Sequence, residues 1–516
     1  MPNASRNAYL YAVIRCPGGA PSAIPNTMMT DTAFDPMSPL TVLAALALYG
    51  GLLFGVAALS RRRTGNADFF TAERRMPWYM AWWAMIGAAM SGITFVSIPG
   101  SVAADAFSYL QMVAGFTVGQ CLIAFWLIPF FYRQGNYASI YEYFDRRFGP
   151  ATHRTGAWFF FLSKMSAAAL KLYIVCAVLQ ELLFGRFGIP LWGNALLTMA
   201  VIWGYTRRGG VRTVIHADML KTAILLTTLV VTIGAILGRL DLSVGEAWRE
   251  VTDSPFARVF FFDDPASDRY FWKMFVGGIV LLVAMTGLDQ DLMQCNLTCR
   301  SVRDAQKNIL LTALSQFVVI ALFLILGVLL YRYAAAAGIG LPDKSDRLFP
   351  LIATGGGLPT AVGMLFVAGF AASSFSAAGS SLTALTTSFT IDLLGGRRLD
   401  EARLLRLRRR VHVALALGMA LLILLFAYGA NESTINLIFK VASYTYGPIL
   451  GLFLFGMWSR CAVRDRWVWL PAVASPILSA LLQWGAGAWF GYRIGFELLL
   501  YNAALTMAGL WLLRKR

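Results

Sequence analysis

Apolar runs of membrane-crossing length follow one another along this chain with little between them. Thirteen can be marked, at about 39–60, 77–99, 108–132, 156–184, 190–206, 213–238, 271–295, 308–335, 358–392, 411–429, 434–458, 467–486 and 492–513. A helix crosses a bilayer with about 20 apolar residues. The expected fold is therefore an all-α integral membrane protein of about 13 transmembrane helices. Composition agrees. The 516 residues are 58% hydrophobic and 14% charged, against about 45–50% and about 25% in soluble chains.

A formal net charge of +17 would suggest nucleic acid in a soluble protein. Here the basic residues gather in alternate short loops, which is the signature of membrane orientation, and no nucleic-acid partner is expected. One set of loops carries Arg61, Arg62, Arg63, Arg74 and Arg75; Arg133, Arg146, Arg147 and Arg154; Arg207, Arg208 and Arg212; Arg300, Arg303 and Lys307; and Arg460, Arg464 and Arg466. The run GGRRLDEARLLRLRRR at 395–410 belongs to this set and suits membrane lipids with anionic headgroups at the inner leaflet. The longest loop of the other set, 239–270, mixes acids with a few arginines. The positive-inside rule then expects a plasma-membrane protein with its N-terminus outside and its C-terminus in the cytoplasm.

Residues 1–38 lack the long apolar core and small-residue cleavage site of a secretory signal. They read as a disordered tail, or as an upstream extension of a chain starting at Met28, Met29 or Met37. The six cysteines, Cys16, Cys121, Cys176, Cys295, Cys299 and Cys461, show no disulfide or zinc pattern. HExxH, a Walker A loop and GxSxG are all missing, so neither an enzyme nor a cofactor is expected.

Four stretches carry chemistry. The first is WYMAWWAMIGAAMSGITFVSIPG at 78–100, whose middle, Gly87, Ser91 and Gly92, is poor helix at the driest depth, with Pro99-Gly100 ending the run. A discontinuous midplane helix points to a transporter's binding site; small residues that let a neighbour approach closely are the plainer explanation. The second is FAASSFSAAGSSLTALTTSFTID at 370–392. Steps of three or four put Ser373, Ser376, Ser380, Thr383 and Thr387 on one helical face. That face serves either as hydrogen-bonding glue between helices or as oxygen ligands for a hard cation. The third is Asp218, just inside its run, with His216 and Lys221 nearby. An intramembrane acid is a functional candidate by default, the alternative being an interfacial carboxylate held by Lys221 or Arg212. The fourth is a set of lysines. Lys164 and Lys171, seven residues apart, share a helical face. Lysines near span ends often snorkel to the interface; Lys171 lies deeper than Lys164, which suggests a partner or an anionic ligand for it.

These pieces, taken in order, resemble the sodium:solute symporter family. The resemblance rests on MSGITFVSIPG at 90–100, SIYEYFDRRFG at 139–149, GGVRTVIHADMLK at 209–221, GLDQDLMQCNLTCRSVRDAQKN at 287–308, the hydroxyl-rich segment 370–392 and YGPILGLFLFGMW at 446–458. It implies a five-plus-five inverted-repeat core, with repeats at 77–238 and 271–458, an extra N-terminal helix at 39–60, and two peripheral helices with a short cytoplasmic tail at 467–516. The first helix of each repeat is expected to be broken, the second at Gly277-Gly278. Sodium is the implied coupling ion, with a proton as the alternative. Its main site would use main-chain carbonyls of Gly87, Met90 and Ser373 with Ser376; a second would use Asp218, Ser376 and Ser380. Ala377 and Gly379 stand where the family has ligands, which thins both sets. Ser91 and Thr94 match positions that face solute, and Leu282, Met285 and Thr286 argue against a sugar pocket. Lys164 or Lys171 would take an anionic group, and one of them is expected to pair with Asp218. The expected function is cation-coupled symport of a small organic solute, an anionic one favoured, by alternating access. A transporter-like sensor acting through a separate partner is the rival. Solute identity and oligomeric state are left open by these motifs.

Overall fold

The structure is a computed structural model that describes residues 37–59, 76–90, 92–133, 139–207, 211–396, 399–429 and 434–515, with 493 and 496 excepted. Most of the expected tail at 1–38 and the arginines at 61–63, 74 and 75 lie outside the described residues.

The described residues form helices with no named strand; two isolated bridges join Met76 to Cys299 and Val463 to Arg514. Among the described residues, nine helices are long and apolar enough to cross a membrane, or up to 11 if two bent pairs each count as one span. In chain order, α1 is Pro39–Leu59, α2 Trp78–Ala89 and α3 Gly92–Asp105. Next come α4, Tyr109–Arg133, the short α5, Glu142–Arg147, α6, Pro150–Leu182, α7, Leu191–Thr206, and α8, Val211–Leu240. After the connecting α9, Val244–Thr252, lie α10, Phe271–Leu282, α11, Gln290–Leu297, and α12, Val302–Ala336. The rest are α13, Leu348–Gly355, α14, Thr360–Ser388, α15, Glu401–Gly429, α16, Thr434–Trp458, α17, Trp469–Phe490, and α18, Leu498–Leu512.

Two helices break. Below the first break, α2 stops at Ala89, and Met90 turns extended at φ −94°, ψ 120°. The segments Trp78–Ala89 and Thr94–Asp105 diverge by 53°. Pro99 does not end α3, which continues to Asp105. A proline ring removes one donor, but the neighbouring turn keeps its place through the Tyr331 hydroxyl, which donates to the Gly100 carbonyl at 2.7 Å. The second break is not at Gly277-Gly278. Gly278 is buried inside α10, where a Cβ would stand 2.5 Å from the Met112 carbonyl oxygen of α4. Its absent side chain serves close helix packing. The chain leaves the helix further on, after a π-turn at Val283–Gly287. Asp289 is extended there, and α11 departs at 70°.

Loops of like charge type meet one another. Arg147 donates to the carbonyls of Gly456, Ser459 and Cys461. Asp465 caps α6 through the amides of Ala151 and Thr152, at 3.0 and 2.8 Å. Gly149 turns into that cap at φ +134°, a conformation side chains disfavour. Elsewhere, Phe107 pairs with the Arg258 carbonyl and Arg269 with that of Ala104, tying the loop 239–270 to the end of α3. The basic loops thus share one end of the bundle at these points, and the long acidic loop lies with other partners.

Two outcomes follow. Gly115 of α4 lies so close to α10 that a Cβ would overlap the Phe275 carbonyl oxygen. Gly115→Val should cost about 1–3 kcal/mol, read as a lower thermal midpoint in detergent; an unchanged midpoint contradicts the packing. Cys461 is exposed beside the basic loop, whereas Cys176 and Cys299 are buried. An impermeant maleimide should label Cys461 in inside-out vesicles and spare it in intact cells, with Cys461→Ser as the reference. Labelling in intact cells reverses the orientation.

Candidate functional site: two cavities joined by an ion-pair relay

The broken helices put ordinary main chain and charged side chains at the centre of the bundle. Asp289 sits at the second break, and its carboxylate accepts the Asp291 amide at 2.9 Å, capping α11. The same carboxylate receives the Lys164 ammonium at 2.9 and 3.0 Å and the Tyr446 hydroxyl at 2.6 Å. Lys164 also pairs with Asp291, at 3.1 Å. Asp291 in turn accepts the Ser380 hydroxyl at 2.5 Å. A relay of side chains thus runs from α16 and α6 through α11 to α14.

The relay separates two cavities. The larger, of about 150 Å³, is lined by Met90, Thr94, Lys164, Lys171, Asp289, Ser381 and other side chains of α2, α3, α4, α6, α10, α12 and α16. Its walls are mostly apolar, from Met85, Phe116, Leu281, Leu282 and Met285. Gln120 and Gln316 also line it, the Gln120 amide donating to Gln316 at 2.9 Å. The smaller cavity is lined by Asp218, Asp291, Ser380, Thr383 and Thr387. Ala88 and Leu292 border both.

The expected cation residues lie around the smaller cavity and the first break. Asp218 is 5% exposed and accepts the Ser376 hydroxyl at 2.5 Å. It is therefore a buried carboxylate facing the hydroxyl stripe. Gly87 lets α2 lie against α8 here, since a Cβ would stand 2.6 Å from the Asp218 carbonyl oxygen and 2.5 Å from the Thr222 hydroxyl. The Gly87 carbonyl accepts the Met90 amide at 3.1 Å. The Ser373 hydroxyl is buried and makes no hydrogen bond among the described residues, so an oxygen is left for a further partner at the level of the break. An oxygen set of carbonyls, hydroxyls and one carboxylate suits a hard cation. Ser91 lies outside the described residues.

The lysines are arranged differently from the sequence expectation. Neither Lys164 nor Lys171 pairs with Asp218. Its cationic neighbour is Lys221 on its own helix, at 3.8 Å, because a step of three residues puts the two on one face. Lys164 is held by Asp289 and Asp291 instead. Lys171 lines the larger cavity and makes no hydrogen bond or ion pair among the described residues. The acids at 289 and 291 were not singled out as site residues from sequence. The signal was present, since two acids within an apolar run are functional candidates by the same rule that selected Asp218.

The space of one thinned ligand is filled by another group. A Cβ at Gly379 would overlap the Tyr205 hydroxyl of α7, which donates to the Phe375 carbonyl at 2.6 Å.

A family model for the sodium:solute symporter family matches residues 69–464. The chain belongs to that family. Members are membrane transporters rather than enzymes. The human sodium/iodide cotransporter is 25% identical over 87% of this chain and 68% of its own length. The sodium/sialic acid symporter of Aliivibrio fischeri is 25% identical over 82% and 84%. A solved structure of a Na+-coupled sialic acid symporter in its substrate-bound outward-open state superposes with a TM-score of 0.76 at 19% identity, covering 92% of this chain and 97% of that one. At that identity the likeness speaks for the fold, the five-plus-five inverted-repeat architecture of such symporters.

The relay generates an energetic prediction for this family member. Asp289→Asn leaves a buried ammonium with one carboxylate fewer and weakens the α11 cap; removing one partner of a buried pair costs about 3–5 kcal/mol. Asp291→Asn should cost less, since Asp289 still holds Lys164. Thermal midpoints of the purified variants check the order, and equal or reversed losses contradict it.

Proposed function

We propose that this chain is a sodium-driven symporter of a small solute carrying an anionic group, bound in the larger cavity between the two breaks. The observation that carries this reading is Lys171, a cavity-lining ammonium with no partner of its own among the described residues, beside a second lysine already neutralised by two acids. The apolar part of the wall, from Met85, Phe116, Leu281, Leu282 and Met285, suits a compact organic body. Thr94 and Ser91 are the further solute-facing residues in this reading.

Sodium takes the carbonyls of Gly87, Met90 and Ser373 and the oxygens of Asp218, Ser376 and Ser380. Charge supports pairing the two loads. The ammoniums of Lys164, Lys171 and Lys221 are matched by the carboxylates of Asp218, Asp289 and Asp291 around the site. One added cation and one added anion keep it neutral, whereas either alone does not, so each favours the other. Such coupling is reciprocal. The repeats at 77–238 and 271–458 then rock about this midplane site, with 39–60 and 467–516 outside the moving core, the N-terminus outside the cell and the C-terminus in the cytoplasm.

Uptake by proteoliposomes tests the reading. A sodium gradient should drive accumulation of a small carboxylate, and labelled solute should show counterflow, which a sensor would not. Lys171→Gln should weaken binding of the carboxylate by about 1.5–3 kcal/mol, the scale of a hydrogen bond to a charged group, and of a neutral analogue far less. Equal losses sink the anionic assignment. Uptake that ignores sodium and follows a pH gradient makes the proton the coupling ion. Asp218→Asn should abolish sodium dependence with the protein still folded.

A further inference from the structure

The basic run at 395–410 plays no part in the transport site, yet its helix builds a pocket. Between the end of α7, the lower part of α14 and the start of α15 lies a cavity of about 290 Å³ lined by Trp203, Thr206, Arg207, Thr386, Arg408, Arg409, His412 and Val413. Three guanidiniums line it, and none of the lining residues is an acid. Arg207 stands over the Trp203 ring, 5.1 Å from its centroid, at the C-terminal end of α7, where cations are favoured.

The back wall is polar and fixed. His412 is 7% exposed. Its Nε2 lies 3.0 Å from the Thr206 hydroxyl and its Nδ1 2.8 Å from that of Thr386. Each hydroxyl also lies 2.7 Å from a main-chain carbonyl, that of Ile202 or Leu382. The imidazole therefore meets two oxygens anchored on two different helices.

The outer side of the pocket continues into lipid-facing surface. Val413, Leu417, Leu421 and Leu425 of α15 are 42%, 58%, 59% and 58% exposed. They recur every four residues, so they form one stripe along the helix, and Arg409, itself exposed, stands one turn before Val413 on that stripe. We propose that this pocket is a binding site for an anionic phospholipid. Arg207, Arg408 and Arg409 take the headgroup phosphate, and an acyl chain lies along Val413, Leu417, Leu421 and Leu425. Free phosphate shares the headgroup chemistry but has no use for the stripe, which is why the lipid is the assigned ligand.

Native mass spectrometry of the purified full-length protein, delipidated and then titrated with phosphatidylglycerol or phosphatidylcholine, tests the site. Phosphatidylglycerol should be retained and raise the thermal midpoint; phosphatidylcholine should do neither. Arg408→Gln/Arg409→Gln should weaken phosphatidylglycerol binding by about 30-fold, the loss expected of two basic residues at an anionic lipid. Arg408→Lys/Arg409→Lys keeps the charge and should keep most of the binding if the fold is intact. Arg460→Gln/Arg466→Gln removes the same charge from exposed positions elsewhere and should leave binding unchanged. The proposal is overturned if that control loses as much as the pocket variant, if the pocket variant binds as the wild type does, or if inorganic phosphate protects as well as phosphatidylglycerol.

Discussion

The carboxylate of Asp289 is the interaction on which the centre of this protein depends. It replaces the missing main-chain partners at the start of α11, neutralises Lys164 and holds the Tyr446 hydroxyl of α16. A helix interrupted in hydrocarbon leaves amides without acceptors, and each costs several kcal/mol if it stays so. One ionised side chain answers that need and at the same time ties three helices to the break. Without an acid here, either the break or the lysine would be untenable at this depth.

Close approach completes the arrangement. Gly87 brings α2 against Asp218 and Thr222, while Gly115 and Gly278 bring α4 against α10. Apolar side chains gain little from meeting one another in a bilayer, where lipid is equally apolar, so helix contacts rest on packing and hydrogen bonds. That is the physical reason for glycine at these positions. It also explains why the hydroxyl stripe of α14 is divided in use. Ser376 and Ser380 donate to carboxylates of other helices. Thr383 and Thr387 return their protons to carbonyls one turn back, on the same helix.

Gly379 leaves room for Tyr205 of α7. The phenol reaches the Phe375 carbonyl from α7 through the space that a side chain on residue 379 would fill. A hydroxyl is still supplied near α14, but it is committed to the main chain. Asp291 brings a second carboxylate to the same small cavity as Asp218.

The sequence by itself determined the membrane class, the helical runs and the first break, because hydrocarbon enforces apolar length locally and glycine and serine weaken a helix locally. It also determined which side chains share a face, since helical periodicity is a property of one segment: Ser373, Ser376 and Ser380 in one case, Lys164 and Lys171 in the other. Partner choice was decided only by the tertiary structure. Lys164 meets Asp289 across 125 residues, and Ser376 meets Asp218 across 158. No periodicity within a helix records which face of another helix will come against it. The second break shows the same limit. Gly278 has the residue type of a break, but α4 packs on it, and the chain turns instead at Asp289, where its own carboxylate takes the Asp291 amide and the Tyr141 hydroxyl of a distant segment takes the Leu288 carbonyl.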